Sequence, residues 1–124
     1  MKKDITTRQD VIVLVDSFYQ KVGLNPLIGP IFHGILQESW QPHLNKMYAF
    51  WQTILFDVHE YTGSPFPPHR TLPLEQIHFE VWLTLFTQTV TENFEGQKAE
   101  EAIWRAQKMG ELFLHKIKFF RGEH

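Results

Sequence analysis

One stretch of this chain carries two apolar stripes at once, and a helix apolar on two sides must be buried on two sides. Leu44, Met47, Tyr48, Trp51 and Leu55 form the first stripe. His43, Met47, Phe50 and Ile54 form the second, at i, i+4, i+7 and i+11. The spacing predicts a helix that begins near Ser39, with Pro42 in its first turn, where a missing N–H is tolerated. Asp57, His59 and Glu60 end it. One side can pack on a neighbouring helix, and the other needs a second apolar partner. His43 opens the second stripe, a place where a histidine is more often a satisfied core or boundary residue than a ligand.

The remaining segments keep the helical period. Val11, Val15, Phe18 and Val22 share one face of a first helix expected from about Thr7 to Val22. Thr6 and Gln9 have the spacing of a capping box for it. Tyr19 lies at the edge of that stripe. Its hydroxyl needs a partner if buried, so it caps a core hydrogen bond, faces a polar object inside, or is an ordinary amphipathic tyrosine. Asn25–Pro26 reads as the start of a short turn, Leu27 to Phe32, kept short by Gly29 and Pro30. His33 and Gly34 then enter a loop, with His33 in solvent. A third helix is expected from Thr71–Leu72–Pro73 to about Phe94. Phe79, Leu83, Phe86 and Val90 lie on one face of it, and His78, Trp82, Leu85 and Thr89 on the adjoining one. Gly96 breaks the chain before a final helix whose stripe includes Ala99, Ala102, Ala106, Met109, Phe113, Ile117 and Phe120; its alanines suit a structural floor. No strand pattern or internal repeat is present, so the fold class is all-α, and residues 1–124 form one domain.

Composition narrows the function. Aromatic residues make up 15% of the chain, with eleven Phe, three Tyr and four Trp. That is much flat area for a small helical core. A formal charge of −2 argues against nucleic acid or an anionic membrane as partner. The absence of cysteine excludes disulfides, thiolate metal sites, a Cys nucleophile and covalent haem attachment. The run Val11–Val15 is too short for a membrane span and no signal peptide is readable, so a cytoplasmic location is the expectation. P-loop, dinucleotide and nucleophile-elbow patterns do not occur, and HEYTG at 59–63 lacks the second histidine of a zinc-protease motif.

The stretch Tyr61–Phe86 begins as a stiff loop. Pro65, Pro67 and Pro68 fix φ and restrict the residues before them, Gly63 supplies a turn, and His69 stands directly after the prolines. Such a backbone suits a residue that binds from one direction, although on local sequence alone a surface histidine is the commoner case. The constellation changes the balance. One histidine on a rigid loop, another on a buried stripe, a tyrosine, a tryptophan and many aromatics fit a flat apolar cofactor whose metal takes one imidazole. Haem is such a cofactor.

Ordered markers run through nearly the whole chain. They are FYQKV (18–22) and GPIF (29–32), WQPHL (40–44) and FW (50–51), Y-x-G-x-P-x-x-x-H (61–69), H-F-x-x-W-L-x-L-F (78–86) and RAQ (105–107). In this order they resemble the third group of truncated haemoglobins, small bacterial globins with a two-over-two helical sandwich around haem. The Gly-Gly pairs usual in the other two groups are absent. The resemblance implies non-covalent haem b with His69 as the iron ligand. It implies Tyr19, His43 and Trp82 as polar residues on the ligand side, and Met47, Phe50 and Phe79 as haem-wall residues. Lys46 and Arg70 become partners for the haem propionates, while His78 is read as structural or boundary.

The resulting expectation is a globin that reversibly binds O2 or a related diatomic ligand, as a monomer or weak homo-oligomer, with an unidentified reductase as a possible partner. A haem enzyme acting on peroxide or nitric oxide is the alternative on the same scaffold, distinguished by turnover with a reductant. A haem-free helical metal protein is the third reading. It needs Asp57, His59 and Glu60 to converge and predicts no Soret band.

Overall fold

The structure is a computed structural model that describes residues 2–58, 61 and 74–122. Among these residues five α-helices account for the regular structure, and a single parallel bridge joins Lys3 to Phe94. The first helix, α1 (Arg8–Leu24), begins one residue later than its capping pattern suggests. Thr7, not Thr6, is the N-cap. Its hydroxyl accepts from the Asp10 N–H at 3.1 Å, and Asp10 Oδ2 accepts from the Thr7 N–H at 3.0 Å. Asp10 therefore fills the role expected of Gln9. A carboxylate there also accepts from Lys3 Nζ at 2.7 Å and from the Thr6 N–H at 2.9 Å, which a glutamine could not match in charge.

The expected turn at 27–32 is instead a helix, α2 (Gly29–Leu36), that contains His33 and Gly34. Pro30 opens it: proline in a first helical turn loses an N–H that has no partner there. Asn25 caps the preceding turn, with Oδ1 accepting from the Leu27 and Ile28 N–H groups. His33 is exposed, and its Nε2 bonds the Gly23 carbonyl at 2.9 Å, tying α2 back to α1. Helix α3 (Trp40–Phe56) runs as its stripes require and ends at Asp57 in the left-handed region, φ 57°. Helix α4 (Gln76–Asn93) starts later than expected. Thr71, Leu72 and Pro73 lie outside the described residues, while Leu74 and Glu75 are non-helical. Helix α5 (Gln97–Phe120) follows Gly96, whose φ of 137° favours glycine.

Gly96 has no side chain to cap α5. Asp4 supplies the cap from the far end of the chain, with Oδ2 accepting from the Lys98 N–H at 2.9 Å and Oδ1 from the Ala99 N–H at 2.8 Å. Burial tends to raise the Asp4 pKa, but these amide bonds outweigh it and the net shift is downward.

The two helices α1 and α3 make one layer, and α4 and α5 make the other. Contacts of α1 with α4 and of α3 with α5 join the layers, and α2 rests on α1. Phe18, Phe86, Leu14, Leu55 and Val90 are buried at the junction. Trp51 stacks on Phe86 at 4.9 Å, and Phe18 meets the Phe86 ring edge-on at 5.2 Å. Truncating such a buried Phe to Ala costs about 3–5 kcal/mol. Tyr48 donates to Asp16 and links α3 to α1. No helix among the described residues is long and apolar enough to cross a membrane.

Candidate functional site

All five helices contribute to one cavity between the layers. Its interior is about 100 Å³, and the empty space including its open mouth is about 850 Å³. Close-packed interiors leave few voids larger than a water molecule, so a hole of this size in a small domain is a binding site rather than a packing fault.

The stripes account for its walls. From α1 come Phe18 and Tyr19, from α2 Ile31 and Phe32, from α3 His43, Met47, Phe50 and Trp51. From α4 come His78, Phe79 and Trp82, and from α5 Met109, Gly110 and Phe113. The second face of α3, for which the sequence offered no partner, thus looks into the cavity. Tyr19, His43, Met47, Phe50, Phe79 and Trp82 are brought together on it as a set.

Lys46 is exposed and is not among the lining residues. His69 and Arg70 lie outside the described residues, as do His59 and Glu60, so the carboxylate–histidine group with Asp57 is not described either. Two expectations change. His78, read as a structural or boundary residue, lines the cavity. Helix α5, read as a floor, supplies Met109 and Phe113 to the wall. The signal for His78 was in its spacing, one turn before Trp82 on the same face.

Tyr19 is the most deeply set polar residue of the site. Its ring meets His43 edge-on at 4.9 Å and touches Phe18 and Phe32. Burial pushes its hydroxyl well above the ordinary tyrosine pKa, because ionisation would place a charge in an apolar wall. No described residue accepts a hydrogen bond from it. His43 Nε2 is likewise buried. Trp82 lies edge-on to Phe18 at 5.7 Å and stacked on Phe86 at 5.9 Å, which fixes its indole against the core. Tyr61 anchors the start of the proline loop: its N–H donates to Thr53 Oγ1 at 3.0 Å and its ring meets Phe50 at 5.3 Å.

Two helical pairs stacked as layers, with an aromatic cavity between them, define a globin fold in its shortened, two-over-two form. The sequence comparisons agree. The bacterial-like globin family matches residues 3–115, and the chain belongs to that family. It is 29% identical over 126 residues to the group 3 truncated hemoglobin ctb of Campylobacter jejuni, covering 98% of this chain and 99% of that protein. The crystal structure of the group III truncated hemoglobin from Campylobacter jejuni superposes with a TM-score of 0.86 at 29% identity. That alignment covers 94% of this chain and 95% of the other.

As a member of a globin family the chain is a haem-binding protein. The cavity fits that cofactor. Its described walls are flat and apolar, with Phe50, Phe79 and Met47 available to contact a macrocycle. Its polar side chains are few, Tyr19 from α1, His43 from α3, and His78 and Trp82 from α4.

Proposed function

We propose that this globin holds haem b non-covalently through His69 and reversibly binds O2 or a related diatomic ligand on the opposite face. When bound, the haem iron supplies the open coordination position at which such a ligand attaches. The chain supplies the rest. Met47, Phe50 and Phe79 would contact the macrocycle, and Lys46 and Arg70 would serve as partners for its carboxylates. Tyr19 Oη and Trp82 Nε1 donate to a polarised ligand, and His43 moves at the entrance.

The observation that carries this reading is the Tyr19 hydroxyl, which is buried in the cavity wall and donates to no described residue. The hydroxyl opens onto the cavity, where an acceptor brought by an occupant would gain a hydrogen bond worth about 1.5–3 kcal/mol if the acceptor is charged. The apolar lining lowers the local polarity and strengthens any hydrogen bond made against it.

The test is the visible spectrum of purified protein and of His69→Ala. The parent should show a Soret band and retain haem. The variant should lose haem or retain it only weakly. Full occupancy and an unchanged ferrous spectrum in His69→Ala, without added imidazole, overturns the ligand assignment. Sustained turnover of peroxide or nitric oxide with a reductant, faster than ligand exchange, replaces binding by catalysis as the role.

A further inference from the structure

Resting on the reading of the cavity as a haem site, we infer that His78 is a fixed hydrogen-bond donor to a carboxylate of the cofactor, and that it is not an axial ligand. The argument starts from one hydrogen bond. The Glu75 N–H donates to His78 Nδ1 at 2.8 Å. A ring nitrogen that accepts a hydrogen bond carries no proton, so the His78 proton sits on Nε2. A histidine that binds a metal through Nε2 has the opposite arrangement, with its proton on Nδ1. Such a proton would face the Glu75 N–H. His78 is therefore set up to donate from Nε2.

The segment that imposes this tautomer is itself clamped. Arg121, just past α5, donates from Nη2 to the Leu74 carbonyl at 2.7 Å and from Nη1 to Glu75 Oε1 at 2.9 Å. The Arg121 side chain thus ties down the two residues before α4 and holds the Glu75 amide in place for the imidazole.

Among the described residues the cavity offers no charged acceptor for the His78 donor. No Asp, Glu, Lys or Arg is among the described residues lining it, and its polar side chains are tyrosine, histidine and tryptophan. An occupant that carries an acceptor would complete this donor. Position selects which one. His78 is half-buried in the first turn of α4, where Glu75, Gln76 and Ile77 are exposed, so it stands at the rim and not at the depth of Tyr19. A carboxylate is accommodated at a rim, where water still reaches it, far more cheaply than inside an apolar wall. Haem carries its carboxylates on one edge, which matches a donor at the rim.

The experiment compares the rate at which haem leaves the ferric protein for an excess of a scavenging apoglobin. The parent, His78→Leu and His78→Gln are each loaded with haem and with haem dimethyl ester, which lacks both carboxylates. His78→Leu should speed loss of haem roughly tenfold, the usual size for a charge-assisted hydrogen bond, and leave loss of the diester at the parent rate. His78→Gln keeps an N–H at similar reach and should stay within a few-fold of the parent for both. Equal acceleration of haem and diester by His78→Leu shows a structural role at the α4 cap and overturns the inference. So does the absence of any acceleration, or a change in the axial-ligand bands of either variant. Nitrogen NMR of the His78 ring should show the proton on Nε2, and a proton on Nδ1 also refutes it. A parent that retains neither porphyrin overturns the haem reading itself, an outcome distinct from all of these.

Discussion

Replacing Tyr19 by Phe removes one oxygen atom and leaves the ring contacts with Phe18, Phe32 and His43 in place. The two states of the protein should respond differently. In the haem-free protein the hydroxyl opens onto the cavity and donates to no described residue, so its removal forfeits no core hydrogen bond. The variant should be as stable as the parent or more so. With haem and O2 bound, the same oxygen donates to a polarised acceptor, a bond worth about 1.5–3 kcal/mol. At about 1.4 kcal/mol per factor of ten, its loss should speed O2 release roughly ten- to a hundredfold. Alkaline pH adds a second signature. The folded-state pKa of Tyr19 is raised by burial. Its contribution to stability is therefore fully present below the unfolded tyrosine value, about 10, and is lost as pH climbs above it. Phe lacks that loss, so the haem-free variant should unfold at higher pH than the parent. Tyr48, also raised by burial and by its bond to Asp16, continues to titrate in both proteins. Urea denaturation of haem-free protein at neutral and alkaline pH, with stopped-flow O2 release, measures all three effects. A variant destabilised by more than about 1 kcal/mol that releases O2 at the parent rate refutes the reasoning, since the hydroxyl would then be a core bond.

Three further outcomes are expected. Burial alone would raise the Asp10 pKa, but Lys3 and the Thr6 and Thr7 amides outweigh it and hold the carboxyl well below its ordinary range. That stability is present above the ordinary Asp value and disappears as pH falls below it. Asp10→Asn should cost about 1.5 kcal/mol at neutral pH in a denaturant titration, with the gap closing under acid. Gly96→Ala should cost about 2 kcal/mol or more, from its φ of 137° and from a new Cβ 2.6 Å from Asp4 Cγ. Pairing it with Asp4→Ala should recover part of that cost, and strict additivity of the two would count against the contact. His43→Leu should change the rate of ligand entry more than the rate of release in flash photolysis, because Tyr19 and Trp82, and not His43, are read as the donors to the bound ligand.

Much of the site was legible in the sequence because its residues lie on helical stripes. Tyr19 fell at the edge of one stripe, His43, Met47 and Phe50 on the surplus face of α3, and Phe79 and Trp82 on adjoining faces of α4. The cavity unites them because a stripe without a helix to pack on must face something else. His78 was read as structural or boundary, and its place on the cavity lining depends on how α4 packs, which a sequence does not show. Met109 and Phe113 were taken as floor residues because a stripe records that a face is buried and not what buries it.

The helical periods, the breaks at Asn25 and Gly96, the proline at the head of α3 and the all-α class were determined by the sequence alone. These depend on residues within a few positions of one another, where 3.6-residue spacing and fixed φ decide the outcome. Tertiary structure alone decided the rest. Helix α2 is tied back to α1 because His33 can reach the Gly23 carbonyl. A glycine can begin α5 because Asp4, 95 positions from Ala99, supplies the missing cap. His78 looks into the cavity as a donor because Arg121 holds Leu74 and Glu75 from 47 and 46 positions away. Each of these depends on two distant segments meeting in one orientation, and only the packed layers fix that meeting.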